Sequence, residues 1–389
     1  MRRNGRARSV AAGLGIVAVL AASLALTGGV VSGWAVEPIP IGFITPLTGS
    51  PALEGAFIAH GVDLAVAEVN AAGGVLGRPV KVIVEDGRAD PQESTSAAEK
   101  LIVRDRVVAL VGAWASSATL AVMNTVARHK IPFVVEISTN PKITESGNPW
   151  VFRIASTEAV NSAFVVPKLV ERGFGAVHLV AVNNDWGRGA VEYHQPAFLA
   201  AGAKVTGAEY YNVNEVDFKP ILLKARSSGA KAVMFTGDIR ATANFRKQMR
   251  ELGLTQPVYL SGGQTLSTLG KVSGLDLLEG VYLLGYTIPN ALEGDPRSPL
   301  LQTFVQKFKA RFPQYEPERG TVHAYDAIML LADAMARARS LEPEALRTAL
   351  AAAKYRGLTG DIAFDATGQS RPALFLTQVK GGRQVVVAR

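Results

Sequence analysis

The stretch from Ile39 to Glu85, IPIGFITPLTGSPALEGAFIAHGVDLAVAEVNAAGGVLGRPVKVIVE, decides the fold. It begins and ends on short apolar runs, Ile39 to Thr45 and Val80 to Glu85. Both are apolar along their length rather than alternating, the pattern of strands buried on both faces of a parallel sheet. Between them Ile58, Val62, Ala65 and Val69 fall on one face of a helix. That helix ends at Asn70-Ala71-Ala72-Gly73-Gly74, where glycine can take the left-handed conformation that closes a helix. Strand, helix and strand in this order make one β-α-β unit.

The unit repeats outward along the chain. Further apolar runs of strand length lie at Val107 to Gly112, Phe133 to Val135, Val177 to Val182 and Ala232 to Thr236. A helix between them starts at Asp90-Pro91-Gln92-Glu93, with an N-cap aspartate, a proline at the first helical position and a glutamate placed to reach back. Leu120, Met123 and Ala127 are the expected buried stripe of the next. Repeated alternation predicts an open α/β sheet with ligand sites beyond the carboxyl ends of its strands. The chain after residue 35 is too long for one such sheet to bury, so two lobes are expected. The alternation restarts after Trp150-Val151-Phe152-Arg153, with a helix near Glu158–Arg172. Phe304 to Arg311, Ala324 to Ala338 and Pro343 to Ala353 form a late helix-rich block unlike what precedes it.

Composition narrows the function classes. The 389 residues contain no cysteine, which removes thiol nucleophiles, Cys-ligated metals, disulfides and a lipid on an N-terminal cysteine. Charged residues are 19% and hydrophobic ones 48%, a globular balance. The net charge of +8 raises nucleic acid as a partner. Four of the arginines, Arg2, Arg3, Arg6 and Arg8, precede a stretch from Ser9 to Trp34 without charge, and small residues at Gly33-Trp34-Ala35 follow the pattern of a secretory signal peptide cleaved after Ala35. The other reading of the stretch is a retained membrane anchor. Removing the leader halves the charge to +4, and no Lys/Arg block remains, so no nucleic-acid partner is expected.

Several motifs together resemble the leucine/isoleucine/valine-binding family. They are Ile41-Gly42 with Pro46-Leu47-Thr48-Gly49, Gly61 with Ala67-Glu68-Val69-Asn70-Ala71-Ala72-Gly73-Gly74-Val75-Leu76-Gly77-Arg78, and Asp86 with Asp90-Pro91. Ala97 to Ile102, Val111-Gly112 with Ser116-Ser117, Asn140-Pro141 with Ile143-Thr144, Asp185-Trp186-Gly187-Arg188-Gly189 and Asp217-Phe218 extend the match. The resemblance implies a type I periplasmic binding protein: two doubly wound parallel-sheet lobes joined by three hinge crossings that close on a small molecule. The crossings would fall near Ile154–Thr157, Gly285–Pro289 and Thr359–Asp365. Residues 36–154 with 288–360 would make the first lobe, and 155–287 with 361–389 the second. It also implies a periplasmic monomer without cofactor or metal, delivering an amino acid or related small carboxylate to ABC permease subunits in the inner membrane. A sensor of the same fold, coupled to a membrane receptor or regulator, is the alternative.

Candidate ligand residues follow from position. Ser116 and Ser117 lie between the strand at Val107–Gly112 and the next helix, where backbone N–H groups and the helix dipole favour a carboxylate; Ser116 can equally be a plain N-cap. The resemblance places Ser116 and Thr139 on the family's carboxylate-binding hydroxyls. Glu136 and Ser138 share the strand end with Thr139. Asp238 follows the strand Ala232–Thr236 and resembles the position holding a ligand ammonium, or it caps the helix beginning near Arg240. The family's later glutamate is replaced here by Ser261-Gly262-Gly263-Gln264, so either Gln264 substitutes as a neutral partner or Asp238 and Glu136 carry the charge. Trp114 and Trp186 could sandwich an apolar or ring-bearing ligand, or Trp186 packs on the helix it opens.

Enzyme signatures are weak. His60, His129, His178, His194 and His323 form no i, i+4 pair, and His178 within a strand reads as structural. No G-x-S-x-G elbow occurs, Gly270-Lys271 lacks the rest of a phosphate loop, and Gly187-Arg188-Gly189 has Glu192 in place of a third glycine. An α/β enzyme with an unrecognised site is the third reading.

Overall fold

The computed structural model describes residues 36–262, 266–285 and 298–389. Residues 1–35, expected to be a signal peptide, Gln264 and most of the segment from Gly285 to Pro289 lie outside the described residues. Five parallel strands form the first sheet: β1 (Ile39–Thr45), β2 (Val80–Asp86), β3 (Leu110–Val111), β4 (Phe133–Val135) and β5 (Val151–Arg153), in the order β2-β1-β3-β4-β5. In the second sheet, β6 (Ala176–Val182), β7 (Lys204–Tyr211), β8 (Ala232–Thr236), β9 (Val258–Leu260) and β10 (Tyr282–Gly285) repeat that doubly wound order. A short ribbon, β11 (Tyr355–Gly357) and β12 (Gly360–Ile362), precedes β13 (Phe375–Lys380) and β14 (Arg383–Ala388), which extend the second sheet beyond β10 as antiparallel strands. In both sheets the strand order reverses beside the first strand of the set, which opens a crevice at the carboxyl ends.

Helices cover both faces of each sheet. The expected stripe Ile58, Val62, Ala65 and Val69 is buried against Ile39, Ile41 and Phe43. The late helices Arg319–Ala338 and Pro343–Ala351 join it on the same face through Ile328, Leu331, Leu346 and Leu350, so the helix-rich block belongs to the first sheet. Helices Pro91–Glu99 and Ser116–His129 cover the opposite face. Helices Glu158–Val170 and Asp185–Ala200 cover one face of the second sheet, while Lys219–Ser227, Ile239–Glu251 and Leu266–Ser273 cover the other. Helices Ala52–Ala71 and Arg319–Ala338 cross so closely that a Cβ on Gly61 would lie 2.1 Å from the Thr321 carbonyl oxygen.

Some sequence expectations shift. Within Val107–Gly112 only Leu110 and Val111 pair as a strand. The buried side of helix Ser116–His129 is Ala118, Val122 and Val126 with Thr119 and Met123, whereas Leu120 is half-buried and Ala127 exposed. Small and β-branched residues there meet the sheet, and the stripe is turned by about one residue from the expected one. Asp90 does cap its helix, accepting from the Gln92 and Glu93 N–H groups at 2.8 and 3.0 Å, but the Glu93 carboxylate faces Arg88 at 3.6 Å instead of reaching back.

The chain leaves the first sheet at Arg153 and enters helix Glu158–Val170 of the second. Arg153 is completely buried. Its Nε donates to Gln369 Oε1 at 2.6 Å, its Nη1 to the Asn140 carbonyl at 2.6 Å, and its Nη2 to Thr144 Oγ1 at 2.7 Å. One guanidinium thereby ties two connecting segments to the loop after β4.

Candidate functional site: an enclosed cleft between the two sheets

The carboxyl ends of the two sheets face one another. After β3, Ala113–Ala115 turns the chain sharply, with Trp114 in the left-handed region at φ 65°, and Ser116 begins a 14-residue helix. A bulky residue held there is strain that the surrounding structure must compensate, a feature common at ligand sites. Ser116 is buried, and its Oγ accepts the Asn140 N–H at 3.3 Å, which leaves the hydroxyl proton to donate. After β4, Ser138 Oγ donates to the Trp114 carbonyl at 2.8 Å and lies 2.7 Å from Thr119 Oγ1, so it braces the turn. Thr139 Oγ1 donates to Glu158 Oε1 at 2.6 Å.

From the second sheet, the loop after β6 supplies Asn184 and Trp186. Asn184 caps helix Asp185–Ala200, accepting from the Gly187 N–H at 3.0 Å, and Trp186 Nε1 donates to Glu158 Oε1 at 3.1 Å. The loop after β8 supplies Asp238. Its Oδ1 accepts the Ala241 N–H at 2.8 Å, the N-cap of helix Ile239–Glu251, and its Oδ2 accepts Ser50 Oγ from the first sheet's side at 2.9 Å. Together these loops line a cleft open to solvent at its mouth, about 800 Å³ of empty space with the open mouth included. Trp114, Ser116, Ser138, Thr139, Trp186 and Asp238 all line it.

The remaining candidates lie elsewhere. Ser117 faces an adjoining outer groove rather than the enclosed cavity. Glu136 is fully buried behind the wall, where burial pushes its carboxyl up to about 8, toward the neutral form. Gln264 lies outside the described residues.

Sequence reasoning missed several lining groups. Glu54, on the first turn of helix Ala52–Ala71, accepts the Ile239 N–H at 3.0 Å; burial and the nearby Asp238 push it up to about 7. Burial likewise pushes Glu158 and Glu318 up to about 7. Glu318 accepts from Ser267 Oγ at 2.5 Å and from Thr268 Oγ1. Arg319 beside it donates to the Gly262 carbonyl at 2.9 Å and the Ile137 carbonyl at 3.3 Å. Phe57 and Ile58 add apolar wall, and Phe57 packs with the second sheet's core. A Cβ on Gly320 would meet the Ile58 side chain at 2.8 Å, so any other residue there would push into the cavity wall. The available clue was the pair of helix starts, Glu54 and Glu318, with acids at or near the N-cap.

The cavity therefore offers hydroxyl and helix-end donors, carboxyls from both halves and aromatic walls, which suits enclosure of a small polar-ended molecule. Two doubly wound sheets closing on such a cavity define a two-lobed α/β ligand-binding protein. The chain belongs to the periplasmic binding protein family, whose model matches residues 38–384. It is 30% identical over 335 residues to a Leu/Ile/Val-binding protein homolog 2 of Brucella abortus, covering 85% of this chain and 87% of that one. An amino acid binding protein of Pseudomonas aeruginosa is 28% identical over 315 residues, 79% of this chain and 81% of its own. The solved structure of a leucine binding protein from Thermotoga maritima superposes with a TM-score of 0.81 at 26% identity, covering 90% of this chain and 98% of that one. Members of the family are solute-binding proteins.

Proposed function

We propose that this protein captures an amino acid or related small carboxylate in the cleft and delivers it to the permease of an ABC importer, after export through the leader at residues 1–35. The observation that carries the reading is Ser116. It stands at the start of a 14-residue helix on the cavity wall, its oxygen already accepting from Asn140 and its proton left to donate. A ligand carboxylate there gains that hydroxyl and the positive end of the helix. Asp238, from the second sheet's side, receives the ammonium, and Trp114 and Trp186, from opposite halves, enclose the side chain. The names of the relatives from Brucella, Pseudomonas and Thermotoga point to the same ligand class.

Closure is a hinge motion of two lobes, residues 36–154 with 288–360 and 155–287 with 361–389, with Arg153 and Gln369 anchoring two of the crossings. Micromolar affinity corresponds to about −8 kcal/mol, within reach of a carboxylate clamp, one ammonium pair and an apolar enclosure. Calorimetry of residues 36–389 against the amino acids tests the ligand class, and co-purification with permease subunits tests the partner. Saturable one-site binding supports the reading; heat signals no larger than dilution for every amino acid would remove it.

A further inference from the structure

Two acids span the cleft. Glu54 belongs to a helix on the first sheet and accepts from the backbone of Ile239 on the second sheet's side. Glu318 caps a helix on the first sheet and accepts from Ser267 and Thr268, at the start of a helix on the second. Each side chain is desolvated by the opposite half, so opening the hinge returns both to water. From this geometry we infer that closing the cleft takes up protons on Glu54 and Glu318, which makes the receptor a pH-responsive clamp that closes more readily in acid.

Desolvation between the two halves sets the direction, against the hydrogen bonds from Ile239, Ser267 and Thr268, which favour the charged forms. Glu54 meets the Asp238 carboxylate, which opposes ionisation, and Arg240, which only partly offsets it. Glu318 meets Glu316 and Lys271, of opposite sign, with Arg319 next in the chain. Desolvation is the largest influence on both, and each is held near 7 against an ordinary 4.5. The sign follows: the closed form binds protons more tightly than the open form, so closure is favoured below the ordinary carboxylate range and weakens as pH rises toward and past 7. Between pH 5 and 8 one such carboxyl changes the closed-to-open ratio by roughly 70-fold. Glu158 also sits near 7, facing Arg319 and His194, but it lies where the chain enters the second sheet's helices, and its own N–H bonds the Thr139 carbonyl at 2.9 Å. It is therefore left out of the clamp.

The pH response itself requires no particular ligand, but its use in capture rests on the amino-acid reading. The test separates the two. Because the chain has no cysteine, Gln92→Cys with Val216→Cys places two spin labels on exposed positions across the outer groove. Distances are measured by pulsed electron resonance at pH 5 and pH 8, with and without L-leucine. The expected result without ligand is a closed-to-open ratio at least tenfold higher at pH 5. In a folded E54Q/E318Q background the ratio should not change with pH; each single Gln variant should lose part of the response if the double variant fails to fold. A ratio constant between pH 5 and 8, whether all open or all closed, overturns the clamp, as does a response that survives in the folded Gln variants. Labels that respond to pH but not to L-leucine or any other amino acid keep the clamp and remove the amino-acid reading. Labels that respond to amino acid but not to pH do the reverse.

Discussion

Arg153→Met removes a guanidinium and refills most of its volume with an apolar chain. The loss falls on four acceptors at once: Gln369 Oε1, Thr144 Oγ1 and the carbonyls of Asn140 and Ser138, the last at 3.3 Å. None of these can recruit bulk water, because Arg153, Ser138, Asn140, Thr144 and Gln369 are all buried. Gln369 Oε1 keeps the Thr144 hydroxyl and the Asn140 carbonyl keeps the Ile143 N–H, both at 3.2 Å, so the cost is counted per bond lost: at about 1 kcal/mol for each of the four bonds, the variant should lose about 3–5 kcal/mol of stability. The damage extends to the ligand. Ser138 and Asn140 flank Thr139 on the cavity wall, and the Asn140 N–H is the donor that orients Ser116. Amino-acid affinity should therefore fall at least tenfold. Urea unfolding followed by circular dichroism reads the first quantity, and calorimetry below the shifted midpoint reads the second. Arg153→Lys, which keeps the charge but not the fork of donors, should fall between the two proteins. A loss under 1 kcal/mol with wild-type affinity would refute the assignment of Arg153 as the tie between connecting segments and cleft.

Other substitutions separate site from scaffold. Ser116→Ala should weaken a carboxylate ligand by about 1.5–3 kcal/mol, roughly 10- to 150-fold in Kd, with little change in melting temperature; an unchanged Kd with a lower melting temperature would return Ser116 to a capping role. Asp238→Ala should cost about 1 kcal/mol through its lost N-cap and should also abolish tight amino-acid binding, whereas Asp238→Asn keeps the cap but turns the oxygen that accepts Ser50 into an amide and loses the ammonium partner. Equal affinities for the Asn variant and the wild type would take Asp238 out of the ligand site. Gly61→Ala drives a Cβ into the Thr321 carbonyl, a backbone atom that cannot rotate away, and should cost about 1–3 kcal/mol in urea unfolding. A neutral result there would contradict the close helix crossing on the first sheet.

The strands were legible because burial on both faces leaves an unbroken apolar run: Ile39–Thr45, Phe133–Val135 and Ala232–Thr236 match β1, β4 and β8 end to end. β3 was overread, since Val107 and Val108 are apolar for burial but only Leu110 and Val111 complete the ladder. Strand ends read from the sequence also placed Trp114, Ser116, Thr139, Trp186 and Asp238 beside the cavity, since a carboxyl end at a switch point is a local property of the chain. Glu54, Glu318 and Arg319 were not legible. They come from helices 52–71 and 319–338, which cross only in the folded protein, and an acid near a helix start looks the same on a surface as in a cleft. Glu136 shares the strand end but lies buried behind the cavity wall, a depth that its place in the sequence does not give.

The central claim is that the cleft holds an amino acid by its carboxylate at Ser116. Its most direct measurement is a calorimetric titration of residues 36–389 with each of the twenty amino acids, repeated on Ser116→Ala for any that bind. The account predicts one-site binding in the micromolar range or tighter for at least one apolar or aromatic member, weakened tenfold or more by the substitution. No binding by any amino acid, or binding that Ser116→Ala leaves intact, would contradict it.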